Sequence, residues 1–178
     1  MAKVYCKSGT KPKLRGDTEM LSGDIVLVKG TTVIDHVIER VEDAPYSHAL
    51  LIINSSLGIE AQTLSRTHYI DLERYVEQDI YTCDFLTAEQ REHIVGYAID
   101  HIGSLYDYWL LPVEGVRYLF GLMLPYKECG KYICSTLCAD AYRSCGADLW
   151  PGVHYPTPGQ LPDTNKLRKN GVVQYGYC

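Results

Sequence analysis

The chain lacks the positive charge that nucleic acid or an anionic membrane would demand: its formal net charge is −5. No nucleic-acid partner is expected. The one local exception, "KSGTKPKLR" from Lys7 to Arg15, reads as part of a solvated N-terminal arm over residues 1–20. No apolar run approaches the roughly 20 residues of a membrane-spanning helix, so no integral membrane segment is expected. The opening "MAKVYCKSGTKPK" has neither the apolar stretch nor the cleavage site of a signal peptide. A cytoplasmic location follows, with lysis or association with a virion as routes outward. Repeats, low-complexity tracts and long Gly/Ser linkers are also missing. Seven cysteines, an odd number at irregular spacing, exclude a complete disulfide framework and leave reduced thiols available. No C-x-x-C pair is present, which argues against structural zinc held by Cys129, Cys134, Cys138 and Cys145. No metal and no cofactor are expected.

What is present is enough apolar material, 46% of 178 residues, for one core and a single domain, 1–178. Nothing in the sequence sets an oligomeric state. "GDIVLVKG" (residues 23–30) reads as a strand, and "TTVIDHVIERVED" as a helix with Val33, Val37 and Val41 on one face. "YSHALLIIN" is apolar at consecutive positions and reads as a buried strand. The turn residues "NSSLG" make "IEAQTL" its antiparallel return. "THYIDLERYV" and "DIYTCDF" are weaker strands. Together they predict an α+β fold, a small antiparallel β-barrel or sheet of about five strands packed against helices. "TAEQREHIVGYAIDHIG" is a helix opened by a capping box, Thr87 with Gln90, and closed by Gly103. Residues 107–130 form an aromatic, Gly/Pro-broken inserted loop region. The proline-punctuated tail predicts a short helix near 161–167 and a last strand at "GVVQYG".

In "KYICSTLCADAYRSCG", Cys134, Leu137, Cys138, Ala141, Tyr142 and Cys145 follow the i, i+3, i+4, i+7, i+8, i+11 stripe of a buried helix face. Within a stripe, free cysteine behaves as a small hydrophobe, which accounts for Cys138 and Cys145. Cys134 differs because it lies in the first turn, where unpaired N–H groups and the helix dipole favour a thiolate. A thiolate nucleophile requires a base and a group to orient that base. His36, His93 and His101 fall inside helices, and His68 and His154 in loops. His48, at the mouth of the most buried strand, must be satisfied or functional. On the return strand Glu60 and Gln62 share one face. A tight turn centred on Ser55 sets Gln62 opposite His48 and Glu60 diagonal to it, and hairpin arithmetic does not choose between them.

"GDIVLV", "YSHALLI", "GIEAQ", "GSLYDY", "YICSTLCADAY" and "TPGQL", in that order, resemble the circularly permuted, YiiX-like branch of the NlpC-type papain-like cysteine hydrolases. The resemblance spans about residues 23–167. It implies a permuted papain-like fold with the nucleophile at a helix N-terminus, Cys134 as nucleophile, His48 as base and Glu60 as orienting group. It also implies Tyr106 at the oxyanion site; Ser47 and Gln62 are further candidates for oxyanion or substrate binding. The chain departs from the pattern in its long 107–130 segment and in "CSTL", where the commoner Cys-Ser-Glu-Leu carries a carboxylate. The expected function is a cysteine hydrolase (peptidase or amidase) cutting an amide, in cell-wall peptide for example, through an acyl-enzyme. Two alternatives accompany it: a lipid acyltransferase or thioesterase, with "YWLLP" and "YLFGLML" lining an apolar groove, and an inert binding or virion-associated module. The partner is accordingly a peptide or an acyl small molecule.

Overall fold

Consecutive apolar residues are tolerated in a strand only when both of its faces are covered, and the two most apolar runs become the centre of the sheet. In this computed structural model, which describes residues 13–15, 19–29, 45–62, 65–105 and 133–175, β2 (Ile25–Val28) lies between β3 (His48–Ile52) and β6 (Glu77–Thr82). Alternation along these strands sorts the core into two layers. Ile25, Leu27, Ala49, Leu51 and Ile59 belong to the layer shared with the helices, and Val26, Val28, Leu50, Ile52 and Ile80 to the layer on the other side.

Outward from this centre the sheet continues through β4 (Leu57–Ala61) to β5 (Thr67–Asp71) on one side. On the other it continues through β7 (Arg168–Gln174) to the short β1 (Lys13–Arg15). The order is β1-β7-β6-β2-β3-β4-β5, antiparallel throughout. The expected barrel or sheet of about five strands is therefore corrected: a six-stranded body, β2 to β7, is extended by β1, and the sheet does not close. Closure would need β5 to pair onward. Its free edge is occupied instead, with Thr67 N–H donating to Ser104 O at 3.0 Å and Gly103 N–H to Thr67 O at 2.8 Å. Within the expected N-terminal arm, Lys13, Leu14 and Arg15 pair as a strand with Gln174, Val173 and Val172.

Two α-helices complete the described residues. The first, α1 (Ala88–Asp100), opens with the expected capping box: Gln90 N–H donates to Thr87 Oγ1 at 3.2 Å, and Thr87 N–H to Gln90 Oε1 at 3.1 Å. Ile94 and Ala98 bury its inner face, and Arg91 ties it to the sheet through Asp24 at 2.8 Å. The second, α2 (Cys134–Ser144), lays Leu137, Cys138, Ala141 and Tyr142 against the sheet, and the Tyr142 hydroxyl donates to Gly23 O at 2.8 Å. The expected short helix near 161–167 is a single 3-10 turn, Leu161–Asp163, with Pro162 in it. The expected last strand starts earlier, at Arg168. The expected helix over 31–43, His36, Tyr106, Cys129 and the 107–130 segment lie outside the described residues.

Candidate functional site

The β3–β4 hairpin is tight, and two features make it so. Asn54 Oδ1 accepts from the N–H groups of Ser56 and Leu57, each at 3.0 Å, so the side chain closes the turn. Gly58 permits the close approach of the strands: a Cβ there would lie 2.8 Å from Leu50 Cδ1 and 2.9 Å from Leu51 O. The pairs Leu51↔Ile59 and Ile52↔Gly58 centre the hairpin on Ser55, so Glu60 sits opposite Leu50 and diagonal to His48. Diagonal neighbours remain within reach of long side chains. His48 takes that contact, its Nε2 lying 2.7 Å from Glu60 Oε2. Gln62, directly opposite by register, is half-buried, and no side-chain hydrogen bond joins it to His48 among the described residues.

The start of α2 is built to leave its first N–H groups without a side-chain cap. The N-cap residue is Ile133, which carries no acceptor. Thr136 compensates for part of this: its hydroxyl accepts from Ile133 N–H at 3.1 Å, the reach-back that a glutamate at this position makes in a capping box. The threonine of "CSTL" thus keeps the geometry without placing a negative charge beside the thiol. Cys134 is buried in the layer shared with the helices, and Ser135 Oγ beside it is buried with no hydrogen-bond partner.

Glu60 Oε2 occupies His48 Nε2, and the Cys134 side chain lies near enough to the same ring to act on its charge. Burial works against a charge on His48, but the Cys134 sulfur and the Glu60 carboxylate outweigh it, and the imidazole is pushed up to about 10. This is the direction expected of an imidazolium held beside a buried carboxylate. His48 is the first residue of β3, so the meeting takes place at the end of the sheet. Burial also works against ionised Glu60, but hydrogen bonds and charge from His48, then the Tyr75 hydroxyl and His68, hold its carboxyl below the usual range.

Tyr75 and His68 were not anticipated as parts of this cluster. Tyr75 follows a 3-10 turn, Leu72–Arg74, that splits "THYIDLERYV" and swings the phenol onto Glu60, where it donates to Oε2 at 2.5 Å. Its ring also lies 5.7 Å from that of His48. His68 was expected in a loop. It lies instead on β5, paired in register with Glu60, with Nε2 3.3 Å from Oε1. Alternation offered a signal for it, since a polar residue at the second position of "THYID" aligns with Glu60 once β4 and β5 pair. For Tyr75 the sequence offered none, because a 3-10 turn set its direction.

The remaining candidates are elsewhere. Ser47 is buried and its N–H donates to Val28 O at 3.1 Å, which removes that group as a donor to a substrate. His93 and His154 are exposed, and His101 caps α1 with Nδ1 on Tyr97 O at 2.7 Å. Cys138 is fully buried, and burial pushes its thiol up, as a core role requires. Cys145 is half-buried with Sγ on Tyr142 O at 3.1 Å.

No family model and no curated protein matches the chain. Among solved structures it is similar to one described as metalloprotein YiiX from Escherichia coli O157:H7. The TM-score is 0.58 at 12% identity, over 88% of this chain and 98% of that one. This places the chain in a YiiX-like fold group. Among the described residues no three His, Cys, Asp or Glu side chains are arranged to hold a metal ion. His48 Nε2 and Glu60 Oε2 face each other at hydrogen-bond distance instead of converging on a shared point. Among the same residues no helix is long and apolar enough to cross a membrane.

Proposed function

We propose that the protein is a cysteine hydrolase of the permuted papain-like kind, with Cys134 as nucleophile, His48 as its base and Glu60 as the group that orients His48. The observation that carries this reading is the chain of contacts from a thiol at an uncapped helix N-terminus, through His48, to a buried carboxylate 2.7 Å beyond it. Held between Cys134 and Glu60, His48 keeps a proton above the ordinary histidine range, which stabilises the thiolate partner electrostatically. The thiolate attacks a carbonyl carbon and an acyl-enzyme forms as His48 protonates the leaving group. Water, deprotonated by His48, then releases the acid and restores the thiol. The Cys134 backbone N–H at the start of α2, with Tyr106, stabilises the oxyanion.

The substrate class is an amide in a peptide, cell-wall peptide included, met inside the cell or after lysis. Incubation of wild type and Cys134→Ala with a library of peptide and isopeptide amides tests the assignment. Cleavage by the wild type and none by the variant is expected. Full activity in Cys134→Ala would sink it, and turnover of acyl esters or thioesters alone would move the reading to an acyltransferase or thioesterase.

A further inference from the structure

The two oxygens of Glu60 are served unequally. Oε2 receives both His48 Nε2 at 2.7 Å and the Tyr75 hydroxyl at 2.5 Å. Oε1 is buried and accepts no hydrogen bond. A buried carboxylate oxygen left in that state is costly, and a rotation of the carboxyl group that exchanged the two oxygens would loosen His48. The group placed to prevent this is His68, whose Nε2 stands 3.3 Å from Oε1, at ion-pair distance but without hydrogen-bond alignment.

Two features hold the ring there. His68 and Glu60 are direct cross-strand partners, so strand pairing fixes the separation of their backbones. Its Nδ1 lies 2.6 Å from Arg66 O, and a carbonyl oxygen only accepts, so Nδ1 carries a hydrogen. Nε2 then donates to Oε1 only as the imidazolium, and in the neutral ring it sets a lone pair against the carboxylate. The Arg66 guanidinium is turned away onto Gly103 O at 2.7 Å and does not compete for Glu60.

We infer that His68 is a positioning residue for Cys134, acting through Glu60 Oε1 and His48, so that the working unit is a chain Cys134–His48–Glu60–His68. The inference rests on the hydrolase reading. His68 touches neither the thiol nor His48 directly in this arrangement. Its effect is to fix which oxygen of Glu60 faces His48, and with it the orientation of the His48 ring. The side chain is 33% exposed, so its replacement does not open the core.

The full-length protein is alkylated with iodoacetamide across a pH series, and labelling of Cys134 is quantified on its peptide in wild type, His48→Ala, His68→Phe and His68→Gln. His68→Phe should slow labelling by about tenfold, the lower end of what loss of an outer-shell partner costs an oriented histidine, and should displace the pH profile. His68→Gln, whose amide donates to Oε1, should recover most of the rate, and melting temperatures should stay together. A wild-type rate and profile in His68→Phe, with His48→Ala slow, overturns the role of His68 alone. Unchanged labelling in His48→Ala overturns the hydrolase reading and the inference with it. A measurement independent of variants uses the wild type: ring resonances of His68 should move when Cys134 is alkylated, and a silent His68 ring overturns the chain.

Discussion

Among the described residues Asp24 and Glu60 are the most deeply buried carboxylates, with Asp79 close behind, and the first two have opposite characters. Asp24 is held by a permanent cation, Arg91 Nη1 at 2.8 Å, by the Thr82 hydroxyl at 2.7 Å and by Leu21 N–H at 3.1 Å. Arg91 also reaches Ser22 O and Cys83 O, so the group works as a brace between α1 and the sheet. Burial still dominates at Asp24 and pushes its carboxyl up from the ordinary value. Glu60 has no Lys or Arg in ion-pair contact among the described residues. Its partners are two histidines and a phenol, and these outweigh its burial and lower it. A buried charge with a fixed counter-charge is structural, whereas one surrounded by groups that themselves gain and lose protons, beside a thiol, is the arrangement found where chemistry is done.

The widest break in that comparison comes from removing the base. His48→Ala should lower labelling of Cys134 near neutral pH, and any hydrolysis, by about 10² to 10⁴, the usual contribution of a positioned acid–base group. The fold should survive. His48 is raised from 6.5 to about 10, so its contribution to stability is full below 6.5 and is lost as pH climbs towards about 10. Denaturant melts across that window should show wild type converging on the variant; parallel curves would contradict the assignment.

At the other carboxylate, Arg91→Met should cost about 3–5 kcal/mol, because it leaves Asp24 buried without its partner. Equilibrium unfolding measures this, and the reactivity of Cys134 should not change in the fraction that remains folded. Between these extremes lies the hairpin. Gly58→Ala should cost about 1–3 kcal/mol by overpacking Leu50 and Leu51 O. Because the shift passes to Glu60 two residues on, labelling of Cys134 should fall as well.

The smallest effect is the sharpest discriminator. Glu60 is lowered, so its stabilisation is present above its ordinary 4.5 and is lost as pH falls. Asp24 is raised, so the folded state takes its proton more readily, and a cost develops as pH rises through 3.8 and above. On the acid limb of a stability curve, Glu60→Gln should therefore flatten the rise with pH and Asp24→Asn should steepen it. Slopes moving in the same direction in both variants would remove the distinction between the two sites.

Much of this architecture was legible because it is local. The stripe from Cys134 to Tyr142 is a matter of helical period, the capping box at Thr87 of three adjacent residues, and the hairpin of turn chemistry at Asn54. These features depend on neighbours along the chain, which a sequence displays directly. The strand count was not legible, because Lys13–Arg15 becomes a strand only by pairing with residues near the other terminus. Nor was the open edge, where residues 103–105 return to β5.

The same division runs through the candidate site. By itself the sequence determined that Cys134 starts a buried helix, that His48 starts a buried strand, and that Glu60 and Gln62 share the face opposite. Tertiary structure decided the rest. Glu60 prevails over Gln62 because the diagonal contact suits the reach of His48, and because Tyr75 and His68 arrive from two further elements to hold the carboxylate. Periodicity assigns a residue to a face, but which side chains meet on that face depends on register, turn direction and rotamer, and those are set by elements distant in sequence.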